Sequence, residues 1–264
     1  MTILYFTATG NSLYVAKKLG GTLYSVTQQL ELKNFVFKDD KIGIIFPVYG
    51  LSISHYIENF ISKCTFDTNY LFAIMTFGQY TGAATGRLNE IANKYGIEFS
   101  YINSIKMVDN WLPGYRMEDQ LLSIGKKDVK GQLEKITADI SSEVCWQKKD
   151  NLFDRFTTSL LENMNSSKKK KVRYHTEGLR VSDYFYIDDS CIGCSICTKV
   201  CPVKNVELHN SEPSFAGECI SCLACVQNCP KKAIRIRGEK SHERYRNSEI
   251  SLQEIVESNN RTDK

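Results

Sequence analysis

The chain has 264 residues, of which 42% are hydrophobic, so it is long enough for one large domain and one small domain. Its 34 basic and 30 acidic side chains leave a net charge of +4, which is too small to indicate nucleic-acid binding by itself. No apolar run approaches the roughly 18 residues that cross a bilayer, and the opening MTILYFTATG is not a signal peptide. We therefore expect a soluble, cytoplasmic protein.

The first predicted element is a short apolar run, residues 2–6, whose lack of alternation is typical of a strand buried on both faces. The loop TATGNS follows, and then a short helix with Leu13, Val15 and Leu19 on one face. Backbone N–H groups, hydroxyls and the positive end of the helix dipole would bind a phosphate there. The candidate residues of this first loop are Thr7, Ala8, Thr9, Gly10, Asn11 and Ser12.

Three further apolar runs, at residues 41–46, 70–76 and 97–108, predict buried strands with helices between them. With a weak edge strand at residues 22–26, they make an α/β fold with a five-stranded, doubly wound parallel sheet. Ligands of such sheets lie beyond the carboxyl ends of the strands. We therefore expect a ligand site between the first loop and the loops that follow the other strands.

Residues 1–114 resemble a flavodoxin, because the first loop fits the (S/T)xTGN(S/T) signature that binds the phosphate of FMN in that family. The resemblance implies a flavodoxin-like domain over residues 1–150, with FMN rather than FAD. Tyr49, Tyr80 or Trp111 is available to stack on the flavin ring, and the residues alone do not decide among them. The other candidate FMN-binding residues are Pro47, Val48, Tyr49, Gly50, Phe77, Gly78, Gln79, Tyr80, Gly82 and Trp111.

Two amphipathic helices are predicted next, at residues 117–146 and 151–164, with Gly125 and Gly131 interrupting the first near its start. The first would close the flavodoxin-like sheet. The second would be a connector, a docking surface for the following domain or a lid over a substrate. Their apolar faces carry Val129, Leu133, Ile136, Ile140 and Val144 in the first and Leu152, Phe153, Phe156, Leu160, Leu161 and Met164 in the second.

A basic stretch at residues 164–182 completes a connector that we place at residues 151–181. It has one acidic residue, Glu177, against six basic ones, which are Lys168, Lys169, Lys170, Lys171, Arg173 and Arg180. Such a run fits a solvated linker or a docking site for an acidic redox partner, and less well nucleic acid or anionic lipid.

Eight of the ten cysteines lie between residues 191 and 230, in two copies of the unit CxxCxxCxxxCP. Three thiolates on a tight turn converge on one iron–sulfur cluster, and the fourth is carried toward a neighbouring cluster. A zinc site has no use for the third cysteine of each run or for the proline. Disulfides do not suit the reducing cytoplasm that we expect. The repeat therefore predicts two 4Fe-4S clusters.

Residues 182–237 resemble a bacterial two-cluster ferredoxin, a small α+β domain. This resemblance implies crossed ligation of the clusters. One cluster would be bound by Cys191, Cys194, Cys197 and Cys229, and the other by Cys219, Cys222, Cys225 and Cys201.

The remaining segments carry weaker signals. Residues 238–264 form a charged tail with a final helix near Ile250 and Leu252. Cys64 and Cys145 stand alone, and we expect both to be buried thiols. The four histidines show no spacing that indicates a metal site or a catalytic set.

Taken together, the two regions resemble a bacterial and archaeal family in which a flavodoxin-like domain is fused to a two-cluster ferredoxin. Clusters pass single electrons and flavin holds one or two, so the resemblance implies an iron–sulfur flavoprotein oxidoreductase of an anaerobe. It would couple one-electron carriers to the two-electron reduction of a substrate at FMN. The alternatives are an electron-transfer protein that serves a partner reductase and, less favoured, purely structural or sensory clusters.

A second glycine-rich loop for NAD(P)H is absent from the sequence. We therefore expect the external redox partner to be a protein, either a ferredoxin or a dehydrogenase or reductase. A small-molecule substrate would bind at FMN, and neither nucleic acid nor a membrane is expected as a partner. No catalytic residue is predicted.

Overall fold

The computed structural model describes residues 1–166, 184–215 and 219–260, with side chains described to residue 159 in the first range. The described strands are β1 (Thr2–Tyr5), β2 (Thr22–Ser25), β3 (Val36–Lys38), β4 (Lys41–Pro47), β5 (Thr65–Asp67), β6 (Tyr70–Phe77), β7 (Tyr101–Lys106), β8 (Trp146–Gln147), β9 (Phe185–Ile187), β10 (Val206–His209), β11 (Glu212–Phe215) and β12 (Ile234–Ile236). The described helices are α1 (Asn11–Leu19), α2 (Val26–Leu32), α3 (His55–Ile61), α4 (Ala84–Lys94), α5 (Met117–Leu122), α6 (Val129–Ser141), α7 (Leu152–Ser166), α8 (Ile196–Val200), α9 (Ala224–Gln227) and α10 (Leu252–Asn259), with a 3-10 turn at Ile124–Lys127.

The central sheet is parallel and has the strand order β2-β1-β4-β6-β7-β8. All of β1 and most of β4 and β6 are buried, as their unbroken apolar sequences predict. α1 packs with α6 and α3 packs with α4, as expected for helices on the two faces of a doubly wound sheet. The predicted α/β fold and its five main strands are confirmed.

Three details of this sheet differ from the sequence prediction. A sixth strand, β8, adds two residues at the edge, where Trp146 and Gln147 pair with Tyr101 and Ile102. β3 and β5 form a separate parallel pair. β7 begins later than predicted because the N–H of Ile97 donates to the carbonyl of Ala92 and so belongs to the end of α4.

The predicted helix at residues 117–146 is divided into α5, the 3-10 turn and α6. The break lies at Asp128, whose backbone is left-handed and whose carboxylate caps α6 by accepting from the N–H of Gly131 at 3.2 Å. The interruption predicted near Gly125 and Gly131 is therefore confirmed. Leu133, Ile136 and Ile140 are buried as predicted, whereas Val144 lies beyond the end of the helix and is exposed.

The second predicted helix is present as α7, but its described apolar side chains face solvent. Leu152, Phe153 and Phe156 are exposed by 85%, 62% and 66%. The buried contact is polar instead, since the hydroxyl of Thr158 accepts from the N–H of Ala83 at 2.9 Å. Helical periodicity identified an apolar face without identifying anything that covers it. The basic run at residues 168–171 and the rest of the connector to residue 181 lie outside the described residues.

Residues 184–236 hold two small antiparallel pairs, β9 with β12 and β10 with β11. A short helix lies in each cysteine unit, and these two helices, α8 and α9, pack against each other. Phe185, Val206, Val226, Ile234 and Ile236 belong to a second buried cluster. Val200 of α8 and Ala224 of α9 instead pack into the core of the large sheet.

The C-terminal segment, which we define as residues 238–260, is packed against the rest of the molecule. α10 contacts both α2 and α8, and its N-cap Ser251 forms a capping box with Glu254. Ile250 and Ile255 are buried in the large core. The predicted final helix is therefore present, and it joins the two halves of the chain. Within the described residues, no helix is long and apolar enough to cross a membrane.

Candidate cofactor sites

One cavity of about 380 Å³ lies at the carboxyl ends of β1, β4, β6 and β7. All four of the predicted strand-end loops contribute to it, as expected for this sheet topology. The predicted FMN-binding residues that line it are Thr7, Ala8, Thr9, Asn11, Ser12, Pro47, Val48, Tyr49, Gly50, Phe77, Gly78, Gln79, Tyr80 and Trp111.

Two of the predicted cavity residues, Gly10 and Gly82, are not among its lining residues. The backbone of Gly10 is left-handed (φ 92°), and its N–H donates to the hydroxyl of Thr7 at 3.1 Å. A Cβ at Gly10 would lie 3.0 Å from the Cβ of Ile250, so this face of the loop packs against the C-terminal segment. A Cβ at Gly82 would lie 2.4 Å from the Cβ of Leu51. Both glycines allow close packing behind the cavity.

The first loop brings hydroxyls and helix donors to one end of the cavity. α1 begins there without a side-chain cap, so its first N–H groups and its dipole are directed at the cavity. The hydroxyls of Ser12 and Thr76 lie 2.9 Å apart, and Asn110 donates to the hydroxyl of Thr9 at 2.9 Å. The described lining residues include no lysine or arginine. This donor set fits a phosphate monoester bound by hydrogen bonds and the helix dipole.

Five aromatic residues lie around the cavity: Tyr49, Phe77, Tyr80, Trp111 and Tyr115. The ring of Trp111 stacks on Tyr184 with centroids 6.2 Å apart and an interplanar angle of 20°. Burial raises the pKa of Tyr49, and the nearby Cys222 thiolate adds to this effect. Tyr80 is 58% exposed. Tyr49 thus lies on the inner side of the cavity, towards Cys222, and Tyr80 lies at its mouth.

Asp109 lines the cavity and was not predicted as a site residue. Its carboxylate accepts from the N–H of Gln79 at 3.1 Å and from the N–H of Trp111 at 3.0 Å. Burial raises the pKa of Asp109, while these two backbone hydrogen bonds oppose the rise. A Cβ at Gly78 would lie 2.2 Å from the carboxylate, so glycine is needed there. Asp109 therefore fixes two cavity loops relative to each other.

The cavity has a further wall that comes from the second cysteine unit. Ser221, Cys222 and Leu223 line it together with the strand-end loops. Next to this wall, the amide of Asn228 donates to the carbonyl of Ala8 at 3.0 Å, and the amide of Gln227 donates to the carbonyl of Asn110 at 2.7 Å. These contacts join residues more than a hundred positions apart, and no local pattern in the sequence could have indicated them.

The C-terminal segment also supports the first loop. The hydroxyl of Tyr245 donates to the side-chain oxygen of Asn11 at 2.7 Å, and the amide of Asn247 donates to the same oxygen at 3.3 Å. The N–H of Asn247 donates to the carbonyl of Thr9 at 2.8 Å. These residues carried no motif, and the sequence did not predict their role.

Seven of the eight predicted ligand cysteines form two neighbourhoods that do not follow the order of the chain. Burial raises the pKa of the Cys222 thiol, and the thiolates of Cys201 and Cys219 raise it further. Burial likewise raises the pKa of Cys225, with contributions from Cys222, Cys201 and Cys219. We call Cys201, Cys219, Cys222 and Cys225 the inner cysteine group.

Burial raises the pKa of Cys197 to about 11, and the nearby thiolates of Cys194 and Cys229 add to the rise. We call Cys194, Cys197 and Cys229, with Cys191 added from the predicted crossed ligation, the outer cysteine group. Cys201 thus lies near the first three cysteines of the second unit, and Cys229 lies near Cys197 of the first unit. Among the described residues, no three side chains of Cys, His, Asp or Glu are placed to bind one single metal ion.

The two cysteine groups differ in exposure. Cys201, Cys222 and Cys225 of the inner group are buried, whereas Cys194 of the outer group is exposed. Backbone N–H groups donate to sulfur in both groups: that of Asn205 to Cys201 at 3.2 Å, and that of Ala233 to Cys229 at 3.3 Å. Such hydrogen bonds stabilise the negative charge of a thiolate-bound cluster.

The two cysteines outside the repeat differ from each other. The thiol of Cys64 is largely covered and donates to the carbonyl of Phe60 at 3.2 Å, and burial raises its pKa to about 12. Cys145 is exposed, so the prediction of a buried thiol is wrong there. The cause is that α6 ends before it, at Ser141.

The family model for the 4Fe-4S dicluster domain matches residues 190–234. These residues form a 4Fe-4S dicluster ferredoxin domain. The match includes all eight cysteines of the repeat, so the inner and outer groups both belong to the ferredoxin domain. The predicted ferredoxin-like fold of this region is confirmed.

No curated protein matches the chain. One solved structure, provisionally titled a flavoprotein, comes from Bacteroides uniformis. The match covers 46% of this chain and 94% of the Bacteroides chain. The sequence identity is 18% and the TM-score is 0.31. A likeness of this size does not identify a cofactor.

Proposed function

We propose that the protein is an oxidoreductase that binds FMN in the cavity and two 4Fe-4S clusters in the ferredoxin domain, and that electrons pass between them. One observation carries this proposal: Cys222 of the inner cysteine group lines the same cavity as the first loop. A ligand in this cavity would lie directly beside a cluster ligand. FMN, when bound, supplies a centre that holds one or two electrons, whereas each cluster passes one.

The exposures of the two cysteine groups support an order for the transfer. Cys194 of the outer group is exposed, so this group is the one that an external carrier can approach. The inner group is mostly buried and adjoins the cavity. Cys197 and Cys225 belong to the same buried cluster of side chains, which supports two groups that lie beside each other. We propose that electrons pass from the carrier to the outer cluster, then to the inner cluster and then to FMN. The same path can carry electrons in the opposite direction.

Specific hydrogen bonds support a fixed path between the proposed flavodoxin-like domain, residues 1–150, and the ferredoxin domain. Asn228 and Gln227 each bond a carbonyl of a cavity loop, and Tyr245 bonds Asn11. All three bonds are buried or partly buried, where breaking them costs most. We therefore propose that electrons move between the domains without any domain rearrangement.

The proposal also concerns the substrate that would be reduced at FMN. The side chains of Gln79, Tyr80 and Tyr115 line the cavity together with its apolar wall, and polar groups in an apolar cleft are typical of a small-molecule site. They favour reduction of a small organic substrate at FMN over simple delivery of electrons to a partner reductase. The external redox partner would be a protein such as a ferredoxin or a dehydrogenase.

Cofactor content tests the first part of the proposal. Protein purified without oxygen should contain about eight irons and one FMN per chain, since two cubane clusters hold four irons each. About four irons per chain, or FAD in place of FMN, would contradict it.

The path is tested by rapid mixing with a one-electron reductant while flavin bleaching is followed. Removing the thiolate beside the cavity with Cys222→Ala should slow flavin reduction at least about tenfold, because the inner cluster is lost or displaced. Cys64→Ala is the matched control, since Cys64 lies outside the ferredoxin domain, and it should bleach at the wild-type rate. Equal rates for both variants, with FMN retained, would show that electrons reach the flavin by another route.

A further inference from the structure

The ferredoxin domain and the C-terminal segment share a buried group of charges. Arg235 and Arg244 both form ion pairs with Glu239, the second at 3.2 Å. The side chains of Arg244 and Glu239 are each only 5% exposed, and that of Arg235 is 12% exposed. The carboxylate of Asp188 also pairs with Arg235, with 3.3 Å between Oδ2 and Nη1. The side chain of Asp188 is 32% exposed, so it lies nearer to solvent. Two cations therefore share one carboxylate that is almost entirely covered.

Arg244 makes several other hydrogen bonds but leaves one donor unused. Its Nη1 donates to the carbonyls of Ser241 and Glu243 at 3.1 and 3.2 Å, and its Nη2 donates to that of Ile234 at 3.3 Å. Its Nε is buried and has no partner among the described residues. A guanidinium has five N–H donors in a fixed geometry, and a buried donor without an acceptor is destabilising. An acceptor outside the polypeptide would satisfy it.

The position of Arg244 puts it beside the outer cysteine group. It holds the carbonyl of Ile234, and the N–H of the preceding residue, Ala233, donates to the sulfur of Cys229 at 3.3 Å. Burial lowers the pKa of Arg244, while the charges of Glu239 and of the Cys229 thiolate oppose this effect. A sulfur-rich, negatively charged group bound by Cys229 would be a fitting acceptor for the unused donor.

We propose that Arg244 sets the reduction potential of the cluster held by Cys191, Cys194, Cys197 and Cys229, with its charge and its Nε–H directed at the sulfur atoms. Reduction adds one electron to this cluster and no proton, and the external one-electron carrier is oxidised by one electron. The reduced cluster carries one more negative charge, which a buried cation and an N–H donor stabilise. Arg244 thus makes the outer cluster easier to reduce than it would be without this cation. This inference rests on the two clusters of the proposed function.

A purely structural role makes a different prediction. If Arg244 only neutralised Glu239, then Arg235, which pairs with the same carboxylate, would be equivalent to it. The side chain of Arg235 bonds Asp188 and Glu239, whereas that of Arg244 also bonds the carbonyl of Ile234, next to the residue whose N–H donates to Cys229. Arg235→Gln is therefore a matched control. Glu239→Gln tests the sign, because it removes a negative charge from the same group.

The experiment is a potentiometric titration of each variant without oxygen, with both cluster signals followed by electron paramagnetic resonance and iron content measured beforehand. Arg244→Gln should lower the potential of one cluster and leave the other unchanged. Arg244→Lys, which keeps the charge but loses the Nε–H, should cause a smaller shift. Glu239→Gln should raise the same potential, and Arg235→Gln should shift it less than Arg244→Gln does. A tenfold change in the equilibrium constant corresponds to about 59 mV for one electron.

The possible outcomes of this titration either support or overturn the role of Arg244. Unchanged potentials in Arg244→Gln with full iron content would overturn the inference and leave the proposed function intact. Equal shifts in Arg235→Gln and Arg244→Gln would assign Arg244 a structural role. If Arg244→Gln loses iron, Glu239→Gln and Arg244→Lys carry the test, and a failure of Glu239→Gln to raise the potential overturns the inference. A wild-type protein with about four irons would instead refute the proposed function.

Discussion

At the scale of single residues, Gly10 shows how a motif position can serve a purpose other than the expected one. The signature predicts that its missing side chain lets phosphate approach. In the structure, the space beside it is taken by Asn247 and Ile250, whose Cβ atoms would lie 3.1 and 3.0 Å from a Cβ at Gly10. Gly10 therefore permits the C-terminal segment to pack closely, and the cavity is formed by its neighbours.

Gly10→Val should consequently lower stability as well as FMN content. Valine at a left-handed backbone position costs roughly 1–2 kcal/mol, and its methyl groups would displace Asn247 and Ile250. We expect a lower melting temperature together with loss of flavin. Thermal unfolding and flavin content, measured on the same preparation, check this. Loss of flavin with an unchanged melting temperature would mean that the phosphate itself occupies that space.

The eight cysteines give a second residue-scale prediction, which follows from the two groups rather than from chain order. Cys201→Ala removes a member of the inner group and Cys219→Ala removes another, so both should leave the same cluster signal. Electron paramagnetic resonance of the two variants checks this. If Cys201→Ala instead matches Cys191→Ala, each unit of the repeat is self-contained and the crossed ligation is refuted.

At the scale of elements, the strands and the loops at their carboxyl ends could be predicted because a buried parallel strand has an unbroken apolar sequence. β8 could not, since a pair of residues at a sheet edge has no pattern of its own. α7 was predicted as a connector, a docking surface or a lid, and the described residues do not show what covers its apolar face. Helical periodicity shows which residues share one face of a helix. Long-range contacts determine what packs against that face. The wall formed by Ser221, Cys222 and Leu223 was unpredictable for the same reason.

The C-terminal segment joins the two halves of the chain, and a substitution at Tyr245 tests whether this segment supports the first loop. Tyr245→Phe removes one buried hydrogen bond to Asn11, which contributes about 1 kcal/mol. We expect the dissociation constant for FMN to rise roughly fivefold, because Asn11 belongs to the first loop. Titration of FMN into flavin-free protein measures this. Tyr24→Phe, at an exposed tyrosine on β2, should bind FMN like the wild type, and a normal affinity in Tyr245→Phe would show that the loop holds its shape alone.

At the scale of the whole molecule, the contacts between the two halves predict the behaviour of electron transfer in viscous solvent. Domain motions are slowed by viscosity, whereas transfer across a fixed distance is not. We therefore expect the rate from the outer cluster to the flavin to be unchanged in glycerol solutions that slow the encounter with an external carrier. Flash reduction at several viscosities separates the two rates. An internal rate that falls in proportion to viscosity would reveal a domain movement.

The support that Asn247 gives to Asn11 spans 236 positions of the chain. A ribosome that adds roughly 5–20 residues each second needs about 12 to 50 s to make that stretch. The parallel sheet and its loops can be synthesised long before the residues that hold the first loop in place exist. A nascent chain would thus lack a complete cavity until the ferredoxin domain had already left the ribosome. Under the proposed function, flavin would then be acquired only by chains that already carry the cysteines for its electrons.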